Sequence, residues 1–294
     1  MCTTCAHIEN RRLFGMNFKN IWIFVIAITA SLIVSCGGAM PPLHIPGNTD
    51  HLDDIYNSVV AMVEVGNGGM RGPYCTASFV SPKLLVTAAH CVVHEEAVEV
   101  APGVSLSLPG TTSPVGDEIQ FVTFHQYDDW SRVANATEHN NPEYMTAIVV
   151  EIDTENNHDV ALLELKDRQT PSPNWLVMRN LEREPLRPGE EAYSIGMPVG
   201  QIWVLTNGII SRIQIRGNNS IDILHQVRTG PGSSGSPIMD FRGRIVGIHS
   251  AGWSSNRSGT VVGEAKPISY IQTLIRILET SRSLDNLAQI GTLG

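Results

Sequence analysis

The sequence predicts an all-β chain in two antiparallel halves, closed by a C-terminal α-helix. Three observations carry this. Short apolar runs such as "SVVAMVEV", "KLLVTAA" and "RIVGIHS" are separated by turn signals such as "GNGGMRGP" and "SPK". The 294 residues include 26 glycines and 17 prolines, a turn-rich composition. A polar bridge, "KDRQTPSPN", parts the runs into two sets. With 42% hydrophobic residues the chain can bury a sizeable core. Its formal charge of -9 argues against a nucleic-acid surface, which needs clustered Lys and Arg. No internal repeat or low-complexity tract is visible.

The N-terminus reads as a targeting segment rather than as part of the fold. "IWIFVIAITASLIV" carries no charge; it is short for a membrane span but suits the core of an export signal. The "IVSCGG" that follows, an apolar residue and small residues before Cys36, resembles the lipobox of bacterial lipoproteins. That resemblance implies cleavage before Cys36, acylation of Cys36, and a lipid anchor at the outer membrane or cell surface. The alternative is a secreted or periplasmic protein cut nearby. Residues 1–35 are thus expected to be a signal peptide, with Met16 as an alternative start, and 36–54 a linker or short pro-segment.

The first half is expected over about 55–165, from the runs "SVVAMVEV", "CTASFV", "KLLVTAA", "AIVVEI" and "VALLEL". Residues 102–145 read as long loops around one strand, "IQFVTF". The second half, about 176–265, holds "EAYSIGM", "IWVLTNGIISRIQI", "IDILHQV", "SPIMD" and "RIVGIHS". Ile268, Ile271, Leu274, Ile275 and Leu278 recur at helical spacing, which places a helix at about 266–280 before a frayed tail, 281–294.

Three motifs carry chemistry: "TAAHC" (87–91), "HDVALLEL" (158–165) and "GSSGSP" (232–237). A serine hydroxyl needs a base to accept its proton, and a neutral imidazole does this near neutral pH. In their order the three motifs resemble the chymotrypsin-like serine peptidases over residues 55–280. The resemblance implies two six-stranded antiparallel Greek-key β-barrels with the active site in the cleft between them. It also implies His90 as base, Asp159 as the carboxylate that orients it, and Ser234 as nucleophile. The amides of Gly232 and Ser234 would form the oxyanion hole, which explains the glycines: side chains must leave that space clear. The separation of Cys75 and Cys91 by sixteen residues matches the disulfide that braces the histidine loop in the trypsin branch. Trypsin-like zymogens carry an Asp directly before the nucleophile. Here it is Ser233, which cannot form the activating ion pair with a new N-terminus.

Ser236 and Pro237 after Gly235 look like the staphylococcal V8-like glutamyl endopeptidases. Those enzymes hold an acidic P1 side chain with a Thr five residues before the nucleophile and a His fifteen after it. Thr229 and His249 stand at these positions. Arg228 either adds charge to that pocket or faces solvent. Ser250 and Gly252 would border its mouth, beside an edge that pairs with substrate backbone. The expected function is a serine endopeptidase preferring Glu or Asp at P1. One alternative has the same fold and a small or apolar preference, with His249 structural; another is a catalytically silent binding module. The expected partners are protein or peptide substrates, with no nucleic acid, and the chain is expected to be a monomer. No cofactor is expected, and no metal, because "HCVVH" lacks the glutamate that a zincin needs directly after its first His.

Overall fold

Asp53 and Asp54 start a short helix, α1 (Leu52–Ser58), where carboxylates favour a helix N-terminus. The computed structural model describes residues 52–66, 69–93, 95–101, 104–109, 114–124, 144–166, 170–254 and 261–291. These residues all belong to one compact unit, Leu43–Gly294. The expected signal peptide, the alternative start Met16, Cys36 and residues 292–294 lie outside the described residues. The expected linker, 36–54, lies outside the described residues up to 51, and its last three residues start α1 instead, which buries Ile55. The first strand begins at Val59, inside the expected run "SVVAMVEV".

The first barrel consists of β1 (Val59–Gly66), β2 (Gly69–Phe79), β3 (Leu84–Thr87), β6 (Glu118–Thr123), β7 (Met145–Asp153) and β8 (Val160–Leu165). Its closed order is β1-β2-β3-β8-β7-β6, with β1 also pairing β6. Between β3 and β6 the chain makes a separate antiparallel pair, β4 (Glu95–Ala101) and β5 (Val104–Pro109). This hairpin was not expected, although "AVEVA" and "VSLSL" alternate with the period of a strand. The second barrel consists of β9 (Glu191–Gly196), β10 (Val204–Ile215), β11 (Ile221–His225), β12 (Pro237–Asp240), β13 (Ile245–Ser254) and β14 (Val261–Pro267). It closes in the order β10-β11-β14-β13-β12-β9. With the β4–β5 hairpin set aside, both barrels have the same connectivity, so the repeat that the sequence hides is present in the topology.

The unbroken apolar runs have a packing cause. Along β1, Val60 and Met62 fill the first barrel, while Val59, Ala61 and Val63 join a second cluster outside it. That second cluster also takes Leu162 from β8, Ile195 from β9 and Ile248 from β13. It is the contact between the barrels, and a strand buried on both faces cannot alternate. Phe79 and Phe121 meet edge-on inside the first barrel, with ring centroids 6.1 Å apart.

β14 was not recognised as a strand because "VVGEAKP" carries charge. Lys266 is nevertheless fully buried, 2.8 Å from Asp222 and 2.5 Å from Glu264, and Arg216 pairs with both carboxylates. The final helix, α2 (Ile268–Gly291), overturns the expected tail over 281–291. No proline interrupts it, and Arg282 pairs with Glu164 of β8. Its buried face, Ile268, Ile271, Leu274 and Leu278, enters the interbarrel cluster. The helix touches β7 and β8 of one barrel and β13 and β14 of the other.

Candidate active site

His90 lies on a 3-10 turn, Ala89–Cys91, at the exit of β3. A disulfide from Cys91 to Cys75 of β2, with a Cα–Cα distance of 6.1 Å, ties that turn to the barrel. Asp159 ends the β7–β8 connection with a left-handed backbone, φ +47°. L-residues enter that region at a cost, and Asp is among those that tolerate it. Its carboxylate is used on every side. Oδ2 lies 2.9 Å from His90 Nδ1 and accepts the Ser250 hydroxyl, while Oδ1 accepts the His90 backbone N–H at 2.9 Å. Burial pushes the Asp159 carboxyl up, but the hydrogen bonds of His90 and Ser250 and the imidazole's charge together bring it below its ordinary value. The bond to Asp159 raises His90 above the usual imidazole value, against partial desolvation.

Ser234 lies in the turn between β11 and β12, and this turn is held rigidly. The Ser234 carbonyl accepts Thr76 N–H at 2.8 Å, Gly235 N–H donates to His249 O at 2.8 Å, and Thr76 Oγ1 donates to Gly232 O at 3.0 Å. Gly232 has φ +92° and Gly235 φ +82°; a Cβ at Gly235 would strike Thr76 O and Thr87 Oγ1. The Pro231 carbonyl accepts Val199 N–H at 2.6 Å. A trans peptide sends its N–H opposite to its C=O, so this bond turns Gly232 N–H away from Val199. Among the described residues, the amides of Gly232 and Ser234 donate to no backbone carbonyl. His90, Gly232 and Ser234 border one cavity of about 750 Å³, together with Tyr74 and the disulfide.

The residues expected around P1 are only partly together. Thr229 and Gly252 face each other: a methyl on Gly252 would lie 3.9 Å from Thr229 Oγ1. The Ser250 hydroxyl, expected to border this pocket, is bonded to Asp159 instead, because the carboxylate is the stronger acceptor. Arg228 is exposed, and its carbonyl accepts Thr206 Oγ1 at 2.9 Å. His249 is buried on β13, and its Nδ1 lies 3.2 Å from Nε2 of His225 on β11. Burial lowers His225 to about 4; burial and then the His225 charge lower His249 to about 3, so both rings are neutral at pH 7. His225 was not singled out from the sequence, although a histidine at an apolar position of "IDILHQV" was the available signal. Thr76 and Val199 left no signal at all.

Two closed barrels joined by a shared apolar seam, with a His–Asp pair from one and a glycine-flanked serine from the other, define the architecture of the chymotrypsin-like peptidases. Residues 75–248 match the trypsin-like peptidase domain, and the chain belongs to that family. Among curated relatives, a probable periplasmic serine endoprotease DegP-like from Pseudomonas fluorescens is 29% identical over 132 residues, which is 44% of this chain and 27% of that protein. A protein of the same description from Chlamydia trachomatis is 27% identical over 165 residues, or 54% of this chain and 31% of its own length. The chain thus spans under a third of the length of these relatives. The HtrA-type protease AlgWS227A with tripeptide shares the fold at TM-score 0.51 and 18% identity, over 75% of this chain and 60% of its own.

Proposed function

We propose that the chain is a serine endopeptidase that works through His90, Asp159 and Ser234 and an acyl-enzyme intermediate. The observation that carries this reading is the Asp159–His90 pair, whose imidazole borders the same cavity as Ser234. Asp159 keeps the imidazole proton on Nδ1, which leaves Nε2 free to take the Ser234 proton as the oxygen attacks the carbonyl carbon. His90 then returns that proton to the leaving amine, and water repeats the cycle on the ester. The free amides of Gly232 and Ser234 receive the developing oxyanion; in known cases one such donor is worth about a hundred- to a thousandfold in rate. The relatives described as periplasmic support an exported protein, and acylation of Cys36 would anchor it.

At P1 the reading is Glu or Asp. Thr229 and a neutral His249, which can donate from a dry setting, suit an entering carboxylate. A second reading, a small or apolar P1 residue, is favoured by the Nδ1 contact of His249 with His225, which also suits a purely structural role. Peptides varied only at P1 separate the two. Cleavage after Glu or Asp that is lost in Ser234→Ala, and that falls far more than any residual cleavage in His249→Ala, supports the first. Cleavage after small residues, indifferent to His249→Ala, supports the second. A chain that cleaves nothing and is not labelled at Ser234 by a fluorophosphonate sinks the enzymatic reading.

A further inference from the structure

The β7–β8 connection, residues 154–159, must deliver the carboxylate to His90, and its backbone is left-handed at two places, Asn157 (φ 66°) and Asp159 (φ 47°). Each such conformation is uphill for an L-amino acid, though less so for Asn and Asp. His158 lies between them, and its side chain is gripped from two sides. Its Nδ1 lies 2.6 Å from Asp153 Oδ2 at the end of β7, while Asp153 Oδ1 accepts Glu155 N–H at 3.0 Å. Its ring stacks on Tyr270, with centroids 3.8 Å apart and planes at 25°. Tyr270 stands in the first turn of α2, and its hydroxyl accepts Ile221 N–H from β11 at 2.6 Å. The turn that carries Asp159 is therefore fastened to the C-terminal helix and, through it, to the other barrel.

We propose that His158 is a positioning residue for Asp159: its ring, held between the Asp153 carboxylate and Tyr270, fixes the left-handed turn that aims Asp159 at His90, so that docking of the C-terminal helix sets the strength of the base. This rests on reading His90, Asp159 and Ser234 as the triad. His158 reaches neither the cavity nor Ser234, and it acts only through its neighbour. Ser250 and the His90 amide hold the carboxylate once it is aimed; the clamp holds the backbone that aims it. Without the clamp the segment relaxes toward right-handed backbone, and small displacements of a reacting constellation are costly, about a hundredfold in rate per ångström.

The test measures the rate at which a fluorophosphonate labels Ser234 of the full chain as a function of pH, a readout that needs no knowledge of P1. In His158→Ala and in Tyr270→Ala, labelling slows about ten- to a hundredfold. The acid limb of the profile also moves to lower pH, because an imidazole that loses its carboxylate is a weaker base. Tyr270→Phe keeps the ring, gives up only the Ile221 bond, and labels at the wild-type rate with the limb in place. A folded His158→Ala chain that labels at the wild-type rate, or more slowly with an unmoved limb, overturns the proposal. If His158→Ala does not fold, as judged by circular dichroism, the comparison of Tyr270→Ala with Tyr270→Phe decides the same question. Persistent labelling in Asp159→Ala or Ser234→Ala instead overturns the triad reading itself.

Discussion

At the residue scale, the titration of His90 makes the sharpest demand. In the proposed mechanism the protonated imidazole cannot accept a proton from Ser234, so activity is expected to fall as pH drops through the His90 value, which the bond to Asp159 raises. The acid limb of kcat/KM is therefore expected above the ordinary imidazole value, and a limb at or below that value contradicts the Asp159 contact. His90, Asp159 and Ser234 could be proposed from the sequence because each stands in a short motif whose neighbours are also constrained. Gly232 and Gly235 were readable for the same reason, since their backbone angles exclude other residues. The bond of Ser250 to Asp159 was not legible, because a serine beside a pocket looks the same whichever way its hydroxyl turns. His225 and Val199 act through partners far away in sequence, the first through a ring on another strand and the second through one amide.

At the element scale, strands were legible where apolar residues run together and illegible where charge intervenes. β14 shows why. Its Lys266 is buried only because Asp222 and Glu264 neutralise it from β11 and from its own strand, a pairing that no local pattern records. Breaking one partner of such a network leaves uncompensated charge in the interior, at a cost of about 3–5 kcal/mol. Lys266→Met is expected to lower the unfolding free energy by that much in urea titration. A change below about 1 kcal/mol, the range of exposed pairs, shows that Arg216 alone satisfies both carboxylates. The end of α2 was missed for a related reason: among the described side chains beyond Leu278, Arg282 pairs with Glu164 of β8 and Leu284 is exposed.

At the scale of the whole molecule, one covalent bond spans β2 and the turn that carries His90. Closing a loop of about fifteen residues stabilises a fold by roughly 3 kcal/mol in the chain-entropy view. Reduction, or Cys75→Ser with Cys91→Ser, is expected to lower the melting temperature. At this size 1 kcal/mol corresponds to about 2–4 °C, so the fall is expected near 10 °C. An unchanged melting temperature shows that the bridge is not formed in solution. Such a bond persists in an oxidising compartment, in keeping with the export expected from the leader.

Each barrel is drawn from an unbroken stretch of chain, with His90 and Asp159 in the earlier stretch, Ser234 in the later one, and α2, which touches both, at the end. A polypeptide delivered N-terminus first thus finishes the half that holds the proposed base while the proposed nucleophile is still in transit. On the proposed triad, the site is complete only when both barrels and the helix that touches them have folded.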